Sequence, residues 1–175
     1  MEELSHHTFA TTPANPEDLR HAMRHWATGV AIVTSTHQGV THGMTISSFT
    51  SVSLTPPQVL IALANSTRTY SLIKASRVFG ISLLAAGQEE LSNLFAGRRA
   101  EADDRLAGLE TFTIVTGVPL LRDALAHFDC RVIATFASGS HTIFIGEVLA
   151  ASGNEHGTPL LYYDRAYHSL GGKQP

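Results

Sequence analysis

Seven segments of the chain read as β-strands, and no regular β-α-β alternation joins them. They are "VAIVTST" (30–36), "VTHGMTISSFTSVSL" (40–54), "QVLIALA" (58–64), "RVFGISLLA" (77–85), "AHFDCRVIATFAS" (126–138), "HTIFIGEVLAAS" (141–152) and "PLLYYDRAYHSL" (159–170). Strands in that succession form antiparallel pairs and close into a barrel, with the helical segments plugging or flanking it. The near-continuous apolar run at 58–64 predicts a strand buried on both faces. Three helices are expected. "NPEDLRHAMRHWATG" (15–29) offers Asn15 as N-cap, Pro16 in the first turn and Gly29 as a stop, with Leu19, Met23 and Trp26 on one face. "STRTYSLIKAS" (66–76) is capped by Ser66 or Thr67, and "GQEELSNLFAG" (87–97) turns Leu91, Leu94 and Phe95 inward. The stretch 98–124 reads as irregular, with Gly108, Gly117 and Pro119 as breakers. A single domain over 15–170 is expected, between a flexible segment 1–14 and a tail 171–175.

Composition narrows the partners. Charged residues make up only 15% of the 175, against 43% hydrophobic ones, so a second copy of the chain is expected to cover part of the surface. The net charge of −3 and the scattered arginines, with only Arg98-Arg99 adjacent, argue against nucleic acid. No apolar run reaches the roughly 18 residues that span a bilayer, and the N-terminus lacks a basic start followed by an apolar core. A cytoplasmic protein without a membrane partner is the expectation. The single cysteine, Cys130, lies in an alternating segment and reads as a buried thiol.

The common catalytic signatures are missing. His21 and His25 sit one helical turn apart, but the sequence has no HExxH arrangement and no His-x-His, so no metal site is assigned. Neither a Gly-x-Ser-x-Gly elbow nor a phosphate-cradling G-x-x-x-x-G-K-[ST] or G-x-G-x-x-G motif occurs. Any dinucleotide is therefore bound without a Rossmann fold.

The chemistry concentrates in a run of neutral hydroxyls. Between Thr41 and Thr55 lie eight of them, Thr41, Thr45, Ser47, Ser48, Thr50, Ser51, Ser53 and Thr55, with no Asp, Glu, Lys or Arg. Ser and Thr also suit the outer face of an exposed strand. Here, however, they occupy consecutive positions after Gly43, a residue that permits close backbone approach. Inward-facing serines need partners. The uracil-like edge of an isoalloxazine ring, neutral and rich in acceptors and ring nitrogens, would supply them. A second cluster, "NSTRT" (65–69), opens a helix, where N–H groups, hydroxyls and Arg68 suit a phosphate as well as ordinary capping.

Together these segments resemble the short-chain flavin reductase family, the NAD(P)H:flavin oxidoreductase components of two-component flavin-dependent monooxygenases. The matching stretches are "MRHWATGVAIVT" (23–34), "HGMTISSFTSVSLTPPQVLIAL" (42–63), "ELSNLFAG" (90–97), "HFDCRV" (127–132), "GSHTIFIGEVLA" (139–150) and "PLLYYDRAYHSL" (159–170). The resemblance implies an FMN-binding split β-barrel of Greek-key, antiparallel type, mainly β with flanking helices, and a homodimer. It implies hydride transfer from NADH or NADPH to N5 of FMN or FAD, with reduced flavin supplied to a partner oxygenase. By similarity, Thr45, Ile46, Ser47 and Ser48 line the isoalloxazine edge, and Ser66, Thr67 and Thr69 take the phosphate. Phe95 and Ala96 approach the ring or ribityl chain, and Tyr167 borders the pocket. His141 sits where the nicotinamide stacks and is the catalytic candidate. Ser140 stands where the family usually has an acid, and Ser47 where asparagine is common. A non-catalytic flavin- or haem-binding split barrel is the alternative.

Overall fold

A computed structural model describes residues 13–97 and 105–170. The N-terminal segment through residue 12, Arg98-Arg99 and the tail 171–175 lie outside the described residues. The main sheet has seven antiparallel strands in the order β3-β2-β6-β9-β10-β5-β4: β2 (Ala31–His37), β3 (Val40–Ile46), β4 (Thr50–Leu54), β5 (Pro57–Ala64), β6 (Val78–Leu83), β9 (Ala126–Ser138) and β10 (His141–Gly153). The two long strands β9 and β10 lie where the alternating sequence places them. The β2–β3 hairpin turns at Gln38-Gly39, both at positive φ (49° and 77°), the backbone that a two-residue turn of this hand requires. β4 and β5 join through Thr55 and a cis Pro56.

A smaller sheet of three strands pairs β1 (Thr28–Gly29) with β11 (Leu160–Tyr163) and β11 with β12 (Ala166–Ser169). A third pair joins β7 (Thr111–Phe112) to β8 (Leu120–Leu121) within the stretch that reads as irregular.

Several expectations need correcting. Residues 159–170 form a hairpin, not one strand. The chain reverses at Asp164 and Arg165, whose φ values of 42° and 65° put both in the left-handed region without a glycine to mark the turn. The run at 58–64 is not buried on both faces. β5 alternates, with Val59, Ile61 and Leu63 in the core and Gln58, Leu60 and Ala62 partly exposed. β2, by contrast, is buried on both faces. Ala31 and Val33 join a core with Phe79, Ile81 and Phe144 inside the main sheet, while Val30 and Ile32 join a second core with Leu84, Phe95, Leu121 and Leu160.

The first helix, α1 (Pro16–Met23), is capped by Asn15, whose side chain accepts from the N–H groups of Glu17 and Asp18. It ends six residues before Gly29, since Thr28 and Gly29 pair with β11. Leu19, Met23 and Trp26 are all exposed.

Two further helices cover the sheet. α2 (Arg68–Ser76) starts at Thr67, whose hydroxyl accepts from Tyr70 N–H, and buries Ile73 against the main core. α3 (Glu89–Phe95) buries Phe95 in the second core, with Leu91 and Leu94 packed against it. Gly43 on β3 makes that packing possible, because a Cβ there would lie 2.8 Å from Cε1 of Phe95. Cys130 is buried, and burial followed by the Asp129 charge pushes its thiol up to about 12.

Candidate functional site

An open cleft of about 170 Å³ lies where the main sheet, α3 and the C-terminal hairpin meet. Thr45, Ile46 and Ser47 form one wall at the end of β3, with Val30 beside them. Ser92 and Ala96 come from α3, and Tyr162 and Tyr167 from β11 and β12. No charged side chain lines the cleft among the described residues. Its walls combine aliphatic and aromatic surface with hydroxyls, the character a neutral planar ring requires.

Most of those hydroxyls are already engaged. Thr45 Oγ1 donates to the Ser92 carbonyl at 2.6 Å, and the Tyr167 phenol reaches Ser92 Oγ at 2.9 Å and Asn93 Oδ1 at 3.0 Å. Ser47 is exposed and, among the described residues, its hydroxyl makes no hydrogen bond. It is the free polar group of the wall. The break between β3 and β4 at Ser47–Phe49 turns this group toward the cleft instead of into a ladder. Ser48 faces away from the lining, donating to the Ala62 carbonyl at 2.8 Å and accepting from Ala62 N–H at 3.1 Å. Its hydroxyl replaces one rung of sheet pairing and fastens the hydroxyl run to β5.

β5 leads from that fastening to the start of α2. There Asn65 N–H donates to the Ser140 carbonyl at 2.9 Å, and Thr142 Oγ1 donates to Asn65 Oδ1 at 2.8 Å. His141 opens β10 opposite Ala64, so the "NSTRT" cluster and the histidine share one end of the barrel. His141 is exposed, and its Nδ1 lies 3.0 Å from Ser140 Oγ. The serine that stands for the family's usual acid thus still contacts the ring. His141 does not line the cleft.

The three hydroxyls expected at a phosphate divide sharply. Ser66 is exposed. Thr67 caps α2 and also donates to the Ala64 carbonyl at 2.9 Å. Thr69 is fully buried, 2.8 Å from His42 Nδ1. Phe95 too is fully buried, so it supports the cleft from behind, while Ala96 faces it.

The sequence singles out neither His42 nor Arg105 as a site residue. Burial, then the guanidinium of Arg105, then that of Arg68 lowers the His42 pKa to about 4, so the imidazole is neutral. Arg105 donates to the Phe95 carbonyl at 2.8 Å and reaches the Gly43 carbonyl at 3.4 Å, tying α3 to β3. Nothing local in the sequence marks either residue; both follow from the packing of α3 over Gly43.

A family model, "Flavin reductase like domain", matches residues 23–171. The chain belongs to this family. Among its relatives, the FMN reductase (NADH) RutF 2 of Rhizobium rhizogenes is 36% identical over 166 residues, covering 91% of this chain and 95% of that one. The NADH-dependent flavin reductase StyB of Pseudomonas fluorescens is 40% identical over 153 residues, 86% and 87% of the two chains. Of solved structures, the NADH:FAD oxidoreductase SgcE6 of Streptomyces globisporus C-1027, in complex with NAD and FAD fragments, superposes with a TM-score of 0.85 at 31% identity, covering 94% of this chain and all of that one. The mainly β, antiparallel split-barrel fold and the flavin reductase class expected from the sequence both hold.

Proposed function

We propose that this protein reduces FMN or FAD with NADH or NADPH and that the reduced flavin leaves for a separate flavin-dependent oxygenase. The observation that carries the reading is the neutral cleft, with one uncommitted hydroxyl on its wall, stitched through Ser48 and β5 to the mouth of α2 and to His141. The bound flavin supplies N5 as hydride acceptor and the reduced nicotinamide supplies the hydride.

The residues do the rest. Ile46 and Val30 give the ring an apolar bed and exclude water from it. Ser47, with the backbone beside it, reads the polar edge and favours the charge that develops there on reduction. Ala96 is small enough to let the ring or ribityl chain approach, and Tyr167 bounds the far side. Ser48, Thr67 and Thr69 hold the frame, so the phosphate falls to Ser66, Arg68 and the first-turn N–H groups of α2. His141, steadied through Nδ1 by Ser140, keeps Nε2 for the nucleotide.

The exposed apolar side chains of α1 and of Leu54 support a homodimer. The unit runs over residues 15–170. The need for reduced nicotinamide and the free thiol of Cys130 fit a cytoplasmic setting; among the described residues no helix is long and apolar enough to cross a membrane.

Absorbance at 340 nm tests the activity. NADH or NADPH is consumed when FMN or FAD is added, and no consumption with any pairing would overturn the reading. His141→Ala raises the KM for the reduced nucleotide roughly tenfold or lowers kcat, while flavin affinity stays within about twofold. Unchanged kinetics would remove His141 from the nucleotide site.

A further inference from the structure

Ser92 sits in the middle of α3 and is fully buried, yet it borders the cleft. Two cleft hydroxyls from different sheets converge on it. Tyr167, on β12 of the three-stranded sheet, reaches its Oγ at 2.9 Å, and Thr45, on β3 of the seven-stranded sheet, donates to its carbonyl at 2.6 Å. That carbonyl also accepts from Ala96 N–H at 2.9 Å, the bond that closes the last turn of α3 under the ring-facing alanine. One residue therefore fixes three points of the cleft wall.

We propose that Ser92 is a positioning residue of the flavin cleft, acting on the ligand through the phenol of Tyr167. The inference rests on the cleft being the flavin site. A phenol has one proton, and here two acceptors, Ser92 Oγ and Asn93 Oδ1, lie within reach of it. With both in place, the Tyr167 ring is held at a single distance from Ile46 and Ser47. With Asn93 alone, the phenol keeps a partner but gains freedom to swing. The loss then falls on ligand affinity and not on folding, because alanine is a good helix residue and Tyr167 is not left unsatisfied.

The test is a double-mutant cycle on Ser92→Ala and Tyr167→Phe, read by flavin-fluorescence titration with FMN and with FAD and by thermal melting of the flavin-free protein. Ser92→Ala is expected to weaken flavin three- to tenfold with the melting temperature changed by no more than about 2 °C. Tyr167→Phe weakens it similarly, and adding Ser92→Ala to Tyr167→Phe changes nothing further. A full additional loss in the double variant, or unchanged affinity in Ser92→Ala, overturns the proposal. Should Ser92→Ala fail to fold, Tyr167→Phe decides alone: unchanged affinity refutes it. Ser47→Trp separates the two readings by filling the cleft. Flavin affinity indifferent to Ser47→Trp removes the cleft as the flavin site; affinity lost in Ser47→Trp but unmoved in Ser92→Ala removes only the role of Ser92.

Discussion

Gly43→Ala perturbs the cleft from behind, without touching anything that lines it. The new Cβ would stand 2.8 Å from Cε1 and 3.1 Å from Cδ1 of Phe95, and 3.1 Å from Cγ2 of Thr34. Neither neighbour has room to yield. The Phe95 ring is fully buried, and Thr34 is pinned through its hydroxyl to the Pro119 carbonyl at 2.6 Å. The overlap of several tenths of an ångström must be relieved by moving α3, whose carbonyl at Phe95 is tied by Arg105 back to the same strand. Overpacking of this kind costs about 1–3 kcal/mol, or roughly 2–4 °C in melting temperature per kcal/mol for a chain of this size. Because Ser92 and Ala96 ride on α3, flavin affinity falls as well. Urea denaturation at one fixed protein concentration, with a flavin titration beside it, measures both effects. Phe95→Leu makes the control: it leaves a cavity alone, yet relieves the overlap in combination, so the two substitutions are less than additive. Wild-type stability in Gly43→Ala, or strict additivity with Phe95→Leu, would refute the argument that this glycine exists to seat Phe95.

Two other substitutions test the frame. His42 has its pKa depressed from 6.5 to about 4, so the unfolded chain takes up this proton first and stability falls as pH drops from about 6.5 toward 4. His42→Gln removes about 1–2 kcal/mol of that loss over the whole window once solvent screening is allowed for; pH-dependent urea midpoints that match wild type would deny it. Asp129 is fully buried and accepts from Val115 N–H at 2.7 Å, Thr116 N–H at 3.0 Å and the Thr116 hydroxyl at 2.5 Å. Asp129→Asn turns a donor toward donors and costs about 3 kcal/mol by denaturant unfolding, with flavin affinity preserved because the 115–116 loop lies outside the cleft.

What the sequence disclosed follows the range of the interactions. The long strands β9 and β10, the Asn15 and Thr67 caps and the inward side of α3 rest on alternation and on contacts within four residues, and all are legible. The burial of β2 on both faces is not, because its second cover is assembled from α3, β8 and β11, which come together only in the fold. An apolar run at 58–64 and a Thr-containing strand at 31–37 look alike or even inverted by composition. The Asp164-Arg165 reversal carries no glycine, so a hairpin reads as one strand. In the site, Thr69 reads as a phosphate ligand by position in its cluster, whereas its partner is His42, twenty-seven residues away.

The hydroxyl run shows why position in such a cluster misleads. Thr41 bonds Thr36, Thr45 bonds the Ser92 carbonyl, Ser48 bridges to Ala62 and Ser53 accepts from Thr55 N–H. Four of eight hydroxyls are thus consumed inside the protein. Of these bonds, that of Thr45 lies in the cleft lining and that of Ser48 fastens the run to β5 behind it, so this part of the wall is fixed before any ring arrives and less ordering remains to be done on binding. Ser47 stays free because the strand breaks beside it. On the proposed reading the ring meets one uncommitted hydroxyl and a rigid frame, and the frame depends on residues, Gly43, Ser92 and Arg105, that carry no mark of the chemistry they support.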